Sequence, residues 1–108
     1  MKIESFLKEI EGEIVVNNPK FNPQGVYIGD LLSLVMGRAK ADDVWITIQG
    51  HLNIIAVASL VDIAGIVVVE GMEIDDETIE KAKEEEICLI KTQKSAYEVA
   101  KILVEKGL

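Results

Sequence analysis

The sequence predicts an α/β fold with a mainly parallel sheet and helices on both of its faces. Three observations carry this. From residue 44 onward, short apolar runs alternate with stretches of helical period in the order β-α-β-α-β-α, the pattern of a parallel sheet with right-handed crossovers. Two of the runs, residues 66–69 and 88–90, show no apolar/polar alternation, as suits strands buried on both faces. The chain has 108 residues, 49% of them hydrophobic, which is the size and apolar content of one domain with a real core. No linker, repeat or low-complexity tract divides it.

Along the chain, Ile3, Phe6, Leu7 and Ile10 fall at helical spacing and predict a short amphipathic helix stopped by Gly12. Residues 13–17 read as a strand. Residues 17–25 hold both prolines and three asparagines and read as a loop. Residues 26–28 form a short extended segment, after which Asp30 is placed to cap a helix over 31–38. A polar link, 39–43, leads to the alternating part: strand 44–48 and helix 52–64, strand 66–69 and helix 76–86, strand 88–90 and helix 96–106. These helices differ. Ala96, Val99, Ala100 and Leu103 make one apolar stripe, as a surface helix needs. The 76–86 helix is mostly charged, with Ile79 and Ala82 facing inward. The 52–64 helix is apolar almost all round, since Ile54, Ile55, Val57, Leu60, Val61 and Ile63 do not share a face. Either its second side packs against another copy, giving a homodimer, or residues 31–36 of the same chain cover it.

Charge and motifs exclude several functions. Nineteen acidic against eleven basic residues give a net charge of -8, a field that repels phosphate backbones and anionic membrane surfaces. Neither nucleic acid nor a membrane is therefore an expected partner. The single cysteine, Cys88, rules out an internal disulfide and reads as a small core hydrophobe. One Cys and one His at this separation build no metal site without carboxylates. Residues 1–11 are charged and lack the apolar stretch of a signal peptide. The apolar stretch 54–69 is broken by Ser59, Asp62 and Gly65, too often for a transmembrane helix. A soluble cytoplasmic protein is expected. There is no P-loop, dinucleotide fingerprint or nucleophile elbow, so no enzyme and no cofactor are expected.

The candidate site lies at the loop 47–53, between a strand and a helix, which holds the only histidine. In α/β domains, ligands bind in the crevice outside the carboxyl ends of the strands, facing helix N-termini. Three such junctions should converge. The first supplies Thr47, Gln49, Gly50, His51 and Asn53, the second Glu70, Gly71 and Glu73, and the third Thr92, Gln93 and Ser95. The candidate ligand-binding set is Thr47, Gln49, Gly50, His51, Asn53, Glu70, Gly71, Thr92 and Ser95, for a small molecule, a nucleotide among the options. His51, at a helix start, is expected to be biased toward its neutral form by the dipole, able to donate and to accept. Free backbone N–H groups there could hold an anion. The carboxylates of Glu70 and Glu73 oppose a bare anion, though they could take Mg²⁺ carried by a phosphate. Each junction also has a plainer reading. Ser95-Ala96-Tyr97-Glu98 is a capping box, which alone explains Ser95 and Glu98. In that reading Asp75 or Asp76 begins the next helix, Gly71 serves only a turn of positive φ, and His51 caps its helix or meets a dimer partner. Most of the acidic run 70–86 is a solvated helix face interspersed with Lys81 and Lys83.

The stretches Tyr27-Ile28-Gly29-Asp30-Leu31-Leu32-Ser33, Trp45-Ile46-Thr47-Ile48-Gln49-Gly50-His51-Leu52-Asn53 and Glu77-Thr78-Ile79-Glu80-Lys81-Ala82, with the ending Ser95-Ala96-Tyr97-Glu98-Val99-Ala100, resemble DRTGG domains. The likeness covers nearly the whole chain and is greatest to the small stand-alone type of anaerobic, often thermophilic bacteria. It implies a single DRTGG-like domain over residues 1–108, a three-layer α/β/α sandwich similar to the N-terminal domain of HPr kinase/phosphorylase. It further implies a non-catalytic regulatory module; relatives occur fused to CBS domains, which bind adenine nucleotides. The chain departs from the name-giving motif. Gly50-His51 or His51-Leu52 stands where the family has Asp-Arg, and Val69-Glu70-Gly71 or Glu70-Gly71-Met72 where it has Thr-Gly-Gly. His51 and Glu70 occupy the corresponding junctions. Two other functions fit the same residues: a protein-interaction or dimerisation domain without a small ligand, and an enzyme using His51 as acid or base.

Overall fold

The computed structural model describes residues 1–108. The elements are α1 (Ile3–Glu9), β1 (Glu13–Val16), β2 (Gly25–Ile28), α2 (Leu32–Arg38), β3 (Asp43–Thr47), α3 (Asn53–Val61), β4 (Gly65–Val68), α4 (Asp76–Glu84), β5 (Leu89–Lys91) and α5 (Ala96–Glu105). They form one five-stranded sheet in the order β1-β5-β4-β3-β2. Strands β2 to β5 run parallel, with Tyr27 beside Trp45, Trp45 beside Ile66 and Val67 beside Ile90. Strand β1 joins the far edge antiparallel to β5, with an irregularity between Ile14 and Val16. The sheet is thus mainly parallel, as expected, with an antiparallel edge that no local pattern announced.

Every residue of β3 and β4 is buried, so both faces must be covered. Alternate side chains serve opposite cores. Trp45, Ile66, Val68 and Leu89 pack with Val35, Ile54, Ile55, Val57, Ala58 and Ala82, from α2, α3 and α4. Val44, Ile46, Val67 and Ile90 pack with Phe6 of α1, Ile10 just after it, and Val99 and Leu103 of α5. The result is a three-layer α/β/α sandwich. The Trp45 indole N–H donates to the Gly29 carbonyl at 2.8 Å, so even the largest core side chain leaves no unpaired donor.

Several boundaries differ from expectation. Helix α3 ends at Val61 rather than 64, because Asp62 takes a left-handed conformation (φ 63°) and Ile63 N–H closes back on the Ala58 carbonyl. Helix α4 ends at Glu84, and the left-handed Glu86 turns the chain into β5. Helix α2 begins at Leu32, and the residue at its start, Leu31, makes no side-chain cap. Asp30 does not cap it, because its carboxylate bonds to the β3 junction instead.

Helix α3 owes its all-round apolar character chiefly to its own chain. It lies on the sheet between α2 and α4, with Ile54, Ile55, Val57 and Ala58 buried. Apolar side chains remain exposed beside it, with Leu60 72% and Leu31 62% exposed, and Leu34 and Met36 on α2 nearly half so. No helix of the chain is long and apolar enough to cross a membrane.

Candidate functional site

The carboxyl ends of β2, β3, β4 and β5 lie along one edge of the sheet, so the loops that follow them stand side by side. Between the β3–α3 and β4–α4 loops runs an open groove of about 420 Å³, lined by Ile48, Gln49, Gly50, His51, Gly71, Met72, Glu73 and Asp75. Of the residues expected to form a site, it brings together Gln49, Gly50, His51 and Gly71.

The two loops are stitched at Gly50. Its carbonyl accepts from Asp75 N–H at 3.1 Å and from the buried Thr78 hydroxyl at 2.8 Å. A side chain at 50 would run into the Glu73 carbonyl oxygen, so glycine serves here for close approach of two backbones. His51 Nδ1 lies 3.0 Å from Asp75 Oδ2, in a largely exposed pair. The sequence offered His51 no fixed carboxylate partner; the fold supplies one 24 residues away. Asp75 does stand at the start of α4, with extended backbone, but makes no side-chain cap because its carboxylate turns to His51.

A second network holds the base of the first loop. Thr47 is buried; its hydroxyl donates to Asp30 Oδ1 at 2.8 Å and accepts from Gln49 N–H at 3.2 Å. Ile48 N–H donates to the same Asp30 oxygen at 2.9 Å, and Gln49 Nε2 donates to the Asp30 carbonyl at 3.1 Å. Asp30 is the site residue that sequence reasoning placed wrongly. The signal was present, since the Tyr27-Ile28-Gly29-Asp30 stretch is itself a strand end followed by a helix. A segment of only three expected strand residues was too short to be ranked as a parallel strand with its own junction.

The other junctions form the frame. Glu70 (φ 61°) and Gly71 (φ 64°) are consecutive left-handed residues whose N–H groups donate to the Lys94 and Thr92 carbonyls, both at 2.9 Å. Gly71 therefore does serve a turn of positive φ, and a side chain there would also strike Gln93. Thr92 is buried, donates to the Ile10 carbonyl at 2.6 Å and accepts from Lys94 N–H at 3.1 Å. Ser95 and Glu98 form the expected capping box, with Glu98 N–H donating to Ser95 Oγ at 3.2 Å and Ser95 N–H to Glu98 Oε1 at 3.1 Å. Those bonds, the Ser95 backbone N–H first, hold the Glu98 carboxyl below its ordinary pKa. Glu11, 3.2 Å away, raises that of Lys94. The hydroxyls of Thr47, Thr92 and Ser95 are thus all engaged within the protein. Asn53, on the first turn of α3, and Glu70 are exposed and stand outside the groove lining.

Charge on the groove is one-sided. Its lining holds the carboxylates of Glu73 and Asp75 and neither lysine nor arginine. The N–H groups of His51, Leu52 and Asn53, at the start of α3, have no partner in the protein. No group of three or more His, Cys, Asp or Glu side chains converges as a metal site would require. A second cavity, about 460 Å³, opens at the opposite edge of the sheet, where Asp42, Asp62, Ile87 and Asn18 meet. It lies at the amino ends of the parallel strands, away from the junctions.

The model of the DRTGG domain family matches residues 5–105 of the chain. The sequence matches no curated protein. Among solved structures, the chain is similar to the CBS and DRTGG domains of the regulatory region of Clostridium perfringens pyrophosphatase, complexed with its activator, diadenosine tetraphosphate. The TM-score is 0.80 at 19% identity, over 95% of this chain and 46% of that one, so this chain spans about half of that structure. At that identity the likeness is one of fold, and it agrees with the three-layer architecture described above.

Proposed function

Because this chain belongs to the DRTGG domain family, we propose that it is a regulatory module that binds a small ligand, a nucleotide, in the groove between residues 49–51 and 71–75, without turnover. The observation that carries the reading is positional. The groove lies at the carboxyl edge of the parallel strands, and both junctions at which the family's name-giving motif falls contribute to it. The structural neighbour supports regulation by a nucleotide, since its regulatory region was solved with a nucleotide activator. The groove lining has no Ser, Thr, Cys or Lys beside the His51–Asp75 pair to act as nucleophile, which favours binding over catalysis. His51 and Glu70 stand where the family has its Asp-Arg and Thr-Gly-Gly, and of the two only His51 lines the groove, so the ligand is read by a different set of side chains. A reducing, cytoplasmic setting suits a chain whose one thiol is buried and unpaired.

Amide shifts recorded during titration with nucleotides test this. Shifts clustering at residues 47–53 and 70–75, and lost in His51→Ala with the fold intact, are the expected result. A full panel without shifts, or undiminished binding by the variant, refutes the role given to the groove or to His51.

A second reading, a dimerisation or interaction domain, is favoured by one observation: Leu31 just before α2, Leu34 and Met36 of α2 and Leu60 of α3 are exposed on the same helical layer. The homodimer it proposes requires sedimentation of a dimer that Leu60→Glu dissociates; a monomer at every concentration defeats it.

A further inference from the structure

Away from the ligand groove, we infer that the furrow between α3 and α4 is a docking surface for a basic amphipathic helix of a partner protein. Two rows of side chains build it. Leu52, at the start of α3, Ala56 and Leu60 recur every fourth residue, all exposed, on the side of the helix opposite its buried Ile54, Ile55, Val57 and Ala58. On α4, Glu77, Glu80 and Glu84 stand at helical spacing, all exposed, opposite the buried Thr78 and Ala82. Strands β3, β4 and β5 are parallel, so the two helices that join them run in the same direction. The apolar row and the acidic row therefore lie side by side over the nine residues of each helix, about 13 Å.

Two hollows mark the furrow. One, about 410 Å³, is lined by Leu52, Asp76, Glu77, Glu80, Lys81 and Glu84. The next, about 310 Å³, is lined by Ile55, Ala56, Ser59, Leu60, Lys81 and Glu85. Lys81 belongs to both, so they are continuous. Their walls are largely hydrocarbon, because the stems of the glutamates and of Lys81 lie along them while the charged heads stand at the rim.

Charge decides the occupant. Lys81 is the only cation of the furrow, and Glu84 at 3.4 Å and Glu85 at 3.5 Å already hold it. Glu80 pairs with Lys83 at 3.4 Å, whereas Asp76 and Glu77 have no cationic partner. The pairs that exist are exposed contacts within one helix, worth little each, so an arriving cation competes for those carboxylates. A helix with lysine or arginine along one flank meets the acidic row, and its apolar stripe covers Leu52, Ala56 and Leu60. A second copy of this chain fits less well, since it brings a further charge of -8 and the same row of carboxylates.

Titrating the full chain with three synthetic helical peptides, followed by amide NMR at low salt, tests the inference. The first peptide carries leucines on one stripe and lysines on its flank. The second has the same composition with the leucines scattered, and the third has glutamates in place of the lysines. The first is expected to bind about tenfold or more tightly than either control, with shifts confined to residues 52–60 and 76–85, and to weaken as salt is added. With native spectra retained, Glu77→Gln combined with Glu80→Gln is expected to weaken it about five- to tenfold, and Ala56→Asp to abolish it. No binding of the first peptide overturns the inference, as does equal binding of the scattered one, which would be attraction by net charge alone. Shifts spread over the whole acidic surface, or an affinity unchanged in the variants, overturn it too. Shifts at 52–60 and 76–85 that grow with the concentration of the chain alone assign the furrow to a second copy and likewise overturn it. None of these outcomes touches the nucleotide reading, whose groove lies at residues 48–51 and 71–75.

Discussion

Thr78→Val tests the stitch that shapes the groove. Thr78 is fully buried, and its hydroxyl donates to the Gly50 carbonyl at 2.8 Å across 28 residues of chain. Valine fills nearly the same space but removes the donor and sets a methyl against a carbonyl. Because Asp75 N–H still reaches that carbonyl at 3.1 Å, the acceptor is not orphaned. The loss is one net hydrogen bond and partial desolvation of the oxygen, together about 1–2 kcal/mol. For a domain of this size that lowers Tm by roughly 5–10 °C. In urea, with the single Trp45 as reporter, the midpoint should fall while the slope stays unchanged. Thr78→Ser keeps the hydroxyl and loses one methyl, at about 1 kcal/mol. Global stability alone therefore does not separate the two variants, but amide exchange does. In Thr78→Val the Asp75 N–H should lose protection as the two loops part, whereas in Thr78→Ser it should keep it. A valine variant as stable as the parent, or a serine variant with the same loosening at Asp75, would show that the 2.8 Å contact does not hold the groove.

Gly50→Ala should cost about 1–3 kcal/mol, because the new methyl meets the Glu73 backbone carbonyl, which no rotamer change can move aside. Amide shifts at residues 73–75 locate the strain, and a neutral variant with unmoved shifts refutes it. Ser95→Ala should cost about 1 kcal/mol through loss of the cap. The Glu98 carboxyl, held low mainly by the Ser95 N–H, contributes stability at pH above its unfolded pKa, and that contribution is lost as pH falls through its lower folded value. Carbon-detected titration should show Glu98 ionising at lower pH than in an unfolded chain, and moving only part of the way back in Ser95→Ala, which removes the hydroxyl bond but keeps the Ser95 backbone N–H; a Glu98 that titrates in the parent as in the unfolded chain contradicts the box. Burial pushes the Cys88 thiol up to about 11. A disulfide reagent near about pH 8 should leave it untouched in the native protein and modify it in urea, so rapid native labelling would place Cys88 outside the core.

Much of the fold was legible in residue patterns. The apolar runs at 66–69 and 88–90 read as doubly buried strands and are so, and the Ser95–Glu98 box caps its helix as its spacing implies. Both are local signals, decided within one strand or one helical turn. The groove was legible only as a region. Strand ends and helix starts placed Gln49, Gly50, His51 and Gly71 together, but not the partners that orient them. The junction hydroxyls of Thr47, Thr92 and Ser95 looked like ligand contacts because a polar side chain at a loop carries no mark of whether its partner is solvent, ligand or backbone. Their partners turned out to be Asp30, Ile10 and Glu98.

By itself the sequence determined the order and kind of the elements, the burial of the sheet on both faces and the edge at which a site would lie, since period, capping and apolar runs act between near neighbours in the chain. Only the tertiary structure decided the strand order, the antiparallel seat of β1, the covering of α3 by α2 and α4, and the engagement of Asp30 with Thr47 and of His51 with Asp75. Those contacts join residues 17 or more positions apart, and their geometry follows from how separate loops pack at the sheet edge. No local pattern encodes that packing: a carboxylate that caps a helix and one that turns to the neighbouring loop have the same sequence signature until the loops are brought together.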